Sequence, residues 1–194
     1  HLEPCFFQDM DRMEKTYLRG ERCYPIFKAC LKDEPTKLDK DKVRVFQACG
    51  LSFSMLIRKY FLPIARFMSN KMVTTECAVG LNVYSPQWDE MCKQVAKYGE
   101  NRMVAVDYAS YDTTMAAQLI IAAFRLMVDV AEVCGYTPDQ LKIMSGIAYD
   151  IANPTTAIYG NIVSLIGSNP SGHNLTVYIN CIVNSLLFRM CYKL

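Results

Sequence analysis

The chain has 194 residues and a net charge of +2, with 52% hydrophobic and 21% charged residues, enough for one domain or a little more with a proper core. That composition excludes intrinsic disorder, and a charge so near balance gives no argument for nucleic-acid binding by itself, so any such role must rest on local basic clusters. Nine cysteines, an odd count with no Cys-x-x-Cys pair and only two histidines beside them, argue against a disulfide framework or a zinc site and predict buried thiols in a reducing compartment.

The sequence opens on His1 and closes on Leu194 within an apparent helix, so it is expected to be a piece of a longer chain. His1 to Tyr24 mixes charges and aromatics without clear periodicity, and no chemistry is placed there. Lys28 to Arg44 carries six basic residues, Lys28, Lys32, Lys37, Lys40, Lys42 and Arg44, interleaved with Asp33, Glu34, Asp39 and Asp41. From Lys42 the residues alternate, which predicts a strand with Lys42, Arg44 and Phe46 on one face and Val43 and Val45 on the other. Two adjacent cations suit a polyanion such as a nucleoside triphosphate or an RNA backbone; a solvated charged hairpin is the alternative. Leu51 to Met68 reads as an apolar helix with a kink or break near Pro63, and Ser85 to Tyr98 as a short helix started by Ser85-Pro86 and stopped by Gly99.

Met103 to Val106 reads as a buried strand ending on Asp107, followed by a polar turn and a second carboxylate, Asp112, at the start of a helix from Thr113 to Cys134. A carboxylate at a strand end is a hard oxygen ligand on a rigid element and suits Mg²⁺, whereas Asp112 is open to the simpler reading of a helix cap. The apolar run Met115 to Phe124 is about half the length needed to span a bilayer, so it is a core helix. Thr137-Pro138-Asp139-Gln140 gives a capping box for a helix to about Ile151, and Gly160-Asn161 separates two β-prone runs as a hairpin turn.

Ser168 to Gly172 is then a loop of turn-formers leading into a helix from His173 to about Met190. That helix is apolar except at His173, Thr176, Asn180 and Asn184, spaced three, four and four apart on one face. Such a stripe needs hydrogen-bond partners, either a ligand hydroxyl or neighbouring backbone, and the Ser171-Gly172 turn offers N–H groups and a hinge to a phosphate or a passing backbone.

These sites, in this order, resemble the RNA-dependent RNA polymerases of picorna-like positive-strand RNA viruses. Lys32-Asp33-Glu34 with Lys42 and Arg44 is similar to the basic fingers motif (motif F), and Asp107-Tyr108-Ala109-Ser110-Tyr111-Asp112 to the Asp-x4-Asp palm motif (motif A). Asn169-Pro170-Ser171-Gly172 with Thr176 and Asn180 resembles the Ser-Gly-x3-Thr-x3-Asn motif (motif B). Val43-Arg44-Val45-Phe46, Arg58-Lys59-Tyr60-Phe61 and Asn82-Val83-Tyr84-Ser85 look closest to the enzymes of insect and marine picorna-like viruses.

The resemblance implies an α+β right-hand polymerase fold, helix-rich with short antiparallel strands, and two-metal transfer of ribonucleotides to an RNA 3′-hydroxyl. In it Asp107 binds Mg²⁺, with Mn²⁺ as a substitute; Lys32, Lys42 and Arg44 meet the triphosphate; Asp112, Thr176 and Asn180 sense the ribose 2′-hydroxyl; and Ser171 and Gly172 form a loop beside the template. It implies as partners RNA template and primer, ribonucleoside triphosphates and other viral replication proteins, at virus-induced membranes in the host cytoplasm. By the same resemblance residues 1–100 are part of the fingers, 101–135 palm, 136–167 a fingers insertion and 168–194 palm. No two aspartates are adjacent in the 194 residues, so the family's Gly-Asp-Asp motif is absent from them, the remaining palm and thumb are missing, and this piece is expected to be inactive alone. The rival readings are a non-catalytic RNA-binding module and a reverse transcriptase-like palm polymerase.

Overall fold

The computed structural model describes residues 3–35 and 44–193. The first segment, featureless by periodicity, is a helix, α1 (Pro4–Leu18), which starts on a proline and buries Phe6, Met13 and Tyr17. Its charges hide the apolar period because they pair along the outer face, Arg12 with Asp9 and Lys15 with Asp11.

Two hairpins join in one four-stranded sheet. The first is β1 (Ile26–Leu31) with β2 (Val45–Ala48), the second β3 (Thr155–Ile158) with β4 (Asn161–Ser164), and the strand order is β2-β1-β3-β4. Both hairpins are antiparallel, the second as its Gly160-Asn161 signal predicts and the first with a strand, β1, that the sequence does not announce; the seam between them is parallel, with Ile26 opposite Thr155 and Lys28 opposite Ala157. The second turn falls one residue earlier than expected. Asn161 is drawn into the ladder opposite Ile158, leaving Tyr159 and Gly160 at φ 48° and 79°, the geometry of a two-residue turn whose twist matches the flanking strands.

The remaining elements are α2 (Leu51–Asn70), a single turn α3 (Met72–Thr75), α4 (Pro86–Val95), a single turn α5 (Tyr111–Thr114), α6 (Ala117–Val133), α7 (Pro138–Ala152) and α8 (Thr176–Lys193). Pro63 lies inside α2 without breaking it: Tyr60, Phe61, Ile64 and Ala65, on both sides of the proline, are all buried, and that packing outweighs one lost backbone bond. The core forms where α2, α6, α7 and α8 pack with α1 and β1. Phe53 of α2 meets Phe27 of β1 edge-on at 6.0 Å, and Phe61 meets Phe124 of α6 at 5.4 Å. The capping box of α7 forms as read, Gln140 N–H donating to the Thr137 hydroxyl and Thr137 N–H to the Gln140 side chain.

Asp150 of α7, fully buried, gathers three donors from the N-terminal segment. It accepts from the Tyr17 hydroxyl at 2.7 Å, the Cys23 N–H at 3.1 Å and the Arg22 Nε at 2.7 Å, while Arg22 also donates to the Asn153 carbonyl. Burial, with the carboxylate beside it, pushes the Tyr17 phenol far above its usual range. The expectation of buried thiols holds only for Cys77; Cys5, Cys92, Cys134 and Cys191 are exposed, and the other four are half-buried. These exposed thiols lie on faces that no described element covers, which composition alone does not reveal.

Candidate functional site

The segment before Asp107 is the main departure from expectation. Residues 103–106 are exposed and belong to no strand, with Val104 79% accessible. A strand exists through its ladder, and among the described residues none pairs with this stretch, so β-propensity alone leaves it extended. The Asp107 carboxylate is also exposed and accepts the N–H of Tyr108 at 3.0 Å.

What fixes this turn is a pair of tyrosines that pattern reading passes over as spacers. Tyr108 and Tyr111 stack with centroids 4.2 Å apart and planes 20° from parallel. The Tyr108 hydroxyl donates to Asn184 Oδ1 at 2.9 Å and the Tyr111 hydroxyl to the Asn180 carbonyl at 3.3 Å, so both rings are pinned to α8. Partial burial pushes the Tyr111 phenol up to about 12, which keeps it protonated as a donor. Their spacing of three across a predicted turn was the available signal.

Asp112 does not cap a long helix. Ser110, at φ 53°, holds the N-cap of α5, and its carbonyl accepts from the N–H groups of Thr113 and Thr114. Asp112 sits in the first turn with its carboxylate on the Thr113 N–H, and its carbonyl accepts the Asn169 N–H at 2.8 Å. The expected single helix from Thr113 breaks at Met115 and Ala116, whose backbones are extended, and restarts at Ala117. The cause is tertiary: the Met115 carbonyl turns to accept the Ser168 N–H at 2.9 Å, so the loop entering α8 splits the helix where it docks.

That loop is ordered around Asn169, which is buried. Its Oδ1 bonds His173 Nε2 at 2.9 Å, and its Nδ2 donates to the Thr176 carbonyl at 3.3 Å and to Asn180 Oδ1 at 2.9 Å. The Thr176 hydroxyl is used locally, on the carbonyls of Pro170 and His173, so α8 begins at Thr176 and not at His173. His173 is buried, and burial pulls its imidazole down to about 3. Ser171 is exposed, whereas Gly172 touches a passing backbone: it bridges Ala48, and a Cβ there would stand 2.3 Å from the Gln47 carbonyl.

Lys32 and Arg44 face each other just past the Leu31–Val45 pair, at the end of the first hairpin where the chain passes from β1 to β2, and Lys32 N–H donates to the Arg44 carbonyl at 2.9 Å. Both side chains are exposed and share Glu34, at 3.1 Å and 3.4 Å, and Lys32 first and Arg44 second hold that carboxyl below its usual range. Lys42 lies outside the described residues. From Arg44 to Ala48 is about 13 Å of strand, so β2 connects the cation pair to the Gly172 bridge.

The structure therefore brings Asp112, Thr176 and Asn180 to one junction, joined through Asn169 with no direct bond between Asp112 and Asn180 among the described residues. It attaches Ser171 and Gly172 to the basic hairpin by way of β2. Asp107 stands beside this junction through Tyr108 and Asn184, and among the described residues no group of three or more His, Cys, Asp or Glu could hold a metal ion. Asn169 is the residue that sequence reading underused; an Asn ahead of a Pro-Ser-Gly turn and an apolar helix must satisfy four hydrogen-bonding positions somewhere.

A family model described as viral RNA-dependent RNA polymerase matches residues 8–194. The chain is 34% identical over 180 residues to the replicase polyprotein of Cricket paralysis virus, covering 87% of this chain and 10% of that one. It is 29% identical over 196 residues to the replicase polyprotein of Drosophila C virus, covering 95% and 11%, and 31% identical to the RNA1 polyprotein of Cowpea mosaic virus, covering 84% and 9%. The chain thus spans about a tenth of the length of these curated relatives. Among solved structures it is similar to a Sicinivirus 3Dpol RNA-dependent RNA polymerase, with a TM-score of 0.70 and 17% identity over 96% of this chain and 39% of that one.

Proposed function

The chain belongs to the viral RNA-dependent RNA polymerase family, and from that premise we propose that it supplies part of the fingers and the first half of the palm of an enzyme that adds ribonucleotides to an RNA 3′-hydroxyl by the two-metal route. In this reading residues 1–100 and 136–167 are fingers, and 101–135 and 168–194 are palm. Catalysis requires carboxylates beyond Asp107, in a Gly-Asp-Asp segment that the 194 residues do not contain, so this piece alone does not polymerise. The observation that carries the reading is the Asn169 junction, which holds the Asp112 turn and the Thr176–Asn180 face of α8 together.

Asp107 is the proposed ligand for Mg²⁺, or Mn²⁺ in its place. An exposed carboxylate fits one position in an oxygen shell, and the described residues offer no complete site around it. The ion, when bound, supplies charge for the phosphoryl oxygens. Lys32 and Arg44, with Lys42, screen the incoming triphosphate, and the exposure of Lys32 and Arg44 leaves their donors within reach of it despite Glu34. Asp112 and Asn180 read the ribose 2′-hydroxyl; Thr176, whose single hydroxyl hydrogen is shared between the Pro170 and His173 carbonyls, supports them by fixing the start of α8. Ser171 and Gly172 lie beside the template. RNA template and primer, ribonucleoside triphosphates and other viral replication proteins are the proposed partners, at virus-induced membranes of the host cytoplasm. No described helix is long and apolar enough to cross a membrane.

The test is Asp107→Ala in the full-length polymerase. Nucleotide addition is expected to fall at least a thousandfold while RNA binding and thermal stability stay near those of the unaltered enzyme, because the side chain is exposed and holds only its neighbour's N–H. Substantial residual turnover would remove Asp107 from the metal site.

A further inference from the structure

Two observations fix which way the Asn180 amide points. His173 Nδ1 accepts the backbone N–H of Leu175 at 3.2 Å, and an amide N–H can only donate, so Nδ1 carries no proton. The buried, neutral ring therefore holds its proton on Nε2 and donates to Asn169, which must present Oδ1 to it. Independently, the Thr176 carbonyl, a pure acceptor, requires Nδ2 on the other end of Asn169. The two constraints agree. With Nδ2 of Asn169 facing α8, Asn180 must turn Oδ1 toward it, and Asn180 Nδ2 is left without a bond to any described residue.

A flipped Asn180 would set two N–H donors against each other and lose a bond, so the orientation is enforced from a ring seven residues away in sequence. We propose that His173, acting through Asn169, is a positioning residue that makes Asn180 present an N–H donor to the 2′-oxygen of the incoming ribonucleotide. The inference rests on the reading of Asn180 as a ribose-sensing residue. It adds a polarity to that contact: Asn180 donates, the 2′-oxygen accepts, and the hydroxyl hydrogen is left for an acceptor such as the Asp112 carboxylate.

Polarity is measurable with nucleotides altered only at the 2′ position. In the full-length polymerase, kcat/KM is measured for matched triphosphates bearing 2′-hydroxyl, 2′-fluoro and 2′-hydrogen, in the unaltered enzyme and in His173→Phe, Asn169→Leu and Asn180→Ala. Ratios within one enzyme cancel any loss of folded protein, so a merely structural defect does not move them. Fluorine accepts weakly and cannot donate, so the unaltered enzyme is expected to prefer 2′-fluoro over 2′-hydrogen by about two- to fivefold. His173→Phe and Asn169→Leu are each expected to erase that preference and to lower the hydroxyl-to-hydrogen ratio about five- to tenfold, toward the value of Asn180→Ala.

An unchanged ratio in both His173→Phe and Asn169→Leu, where Asn180→Ala lowers it, overturns the relay and leaves the ribose-sensing reading standing. An unchanged ratio in Asn180→Ala overturns the reading itself and the relay with it. If neither relay variant yields active enzyme, the unaltered enzyme decides: equal use of 2′-fluoro and 2′-hydrogen substrates refutes a donating Asn180, and a 2′-fluoro preference supports it.

Discussion

Mild acid is expected to destabilise this protein through one buried ring. The His173 imidazole, ordinarily near 6.5, is pulled down to about 3 by burial, so the folded chain leaves it neutral at pH 5 while the unfolded chain protonates it. The unfolded state therefore binds more protons, so stability is complete above about pH 6.5 and is lost as pH falls toward 3. At pH 5 an unfolded histidine is protonated about thirty to one, which favours unfolding by about 2 kcal/mol relative to pH 7.5, and that figure barely moves for any folded value below about 4. Glu76, held down to about 2 chiefly by Arg189, loses its contribution only below about pH 4.5, outside this window. Urea unfolding at pH 7.5 and pH 5.0, followed by circular dichroism, should show the loss of about 2 kcal/mol in the unaltered protein and little of it in His173→Phe. Equal losses in the two would show that the ring is not held neutral, and with it the tautomer that orients Asn169 would fall.

Gly172→Ala places a methyl 2.3 Å from the Gln47 carbonyl, a backbone contact that cannot rotate away; a loss of about 1–3 kcal/mol in unfolding free energy is expected, with weaker triphosphate use in the complete enzyme as β2 is pushed off the loop. Asp150→Ala leaves the Arg22 guanidinium and the Tyr17 hydroxyl without their buried acceptor and should cost about 3–5 kcal/mol, read from the urea midpoint at constant slope.

How much of this was legible depended on how local each cause is. The capping box of α7 formed as read because all its atoms lie within four residues. Of the four-residue stripe, Thr176, Asn180 and Asn184 lie on α8 as their spacing predicts, whereas His173 falls before the helix begins, and the partners of the stripe are not legible because Tyr108 and Asn169 reach it by folding. Met103 to Val106 has the composition of a strand and lacks the neighbour that would make it one. The break at Met115 comes from the carbonyl's distant partner, Ser168. Asp150 could not be recognised as a hub when its donors lie 127 to 133 residues away, and a lone Asp on an apolar helix signals only that something must pair with it. The family resemblance held because motifs are short and local, which is the scale at which sequence is easiest to read.

The parallel seam between β1 and β3 sets a timetable for synthesis. Ile26 leaves the ribosome 129 residues before its partner Thr155, and at about 5–20 residues per second that interval is about 6–26 s. For that time the first hairpin, already carrying Lys32 and Arg44, has one side with nothing to bond it. A nascent chain in this state is the form most exposed to chaperones and to pairing with a second copy on the same message. Slowing translation between residues 50 and 150 should therefore lower the yield of soluble protein more than the same delay placed after residue 165.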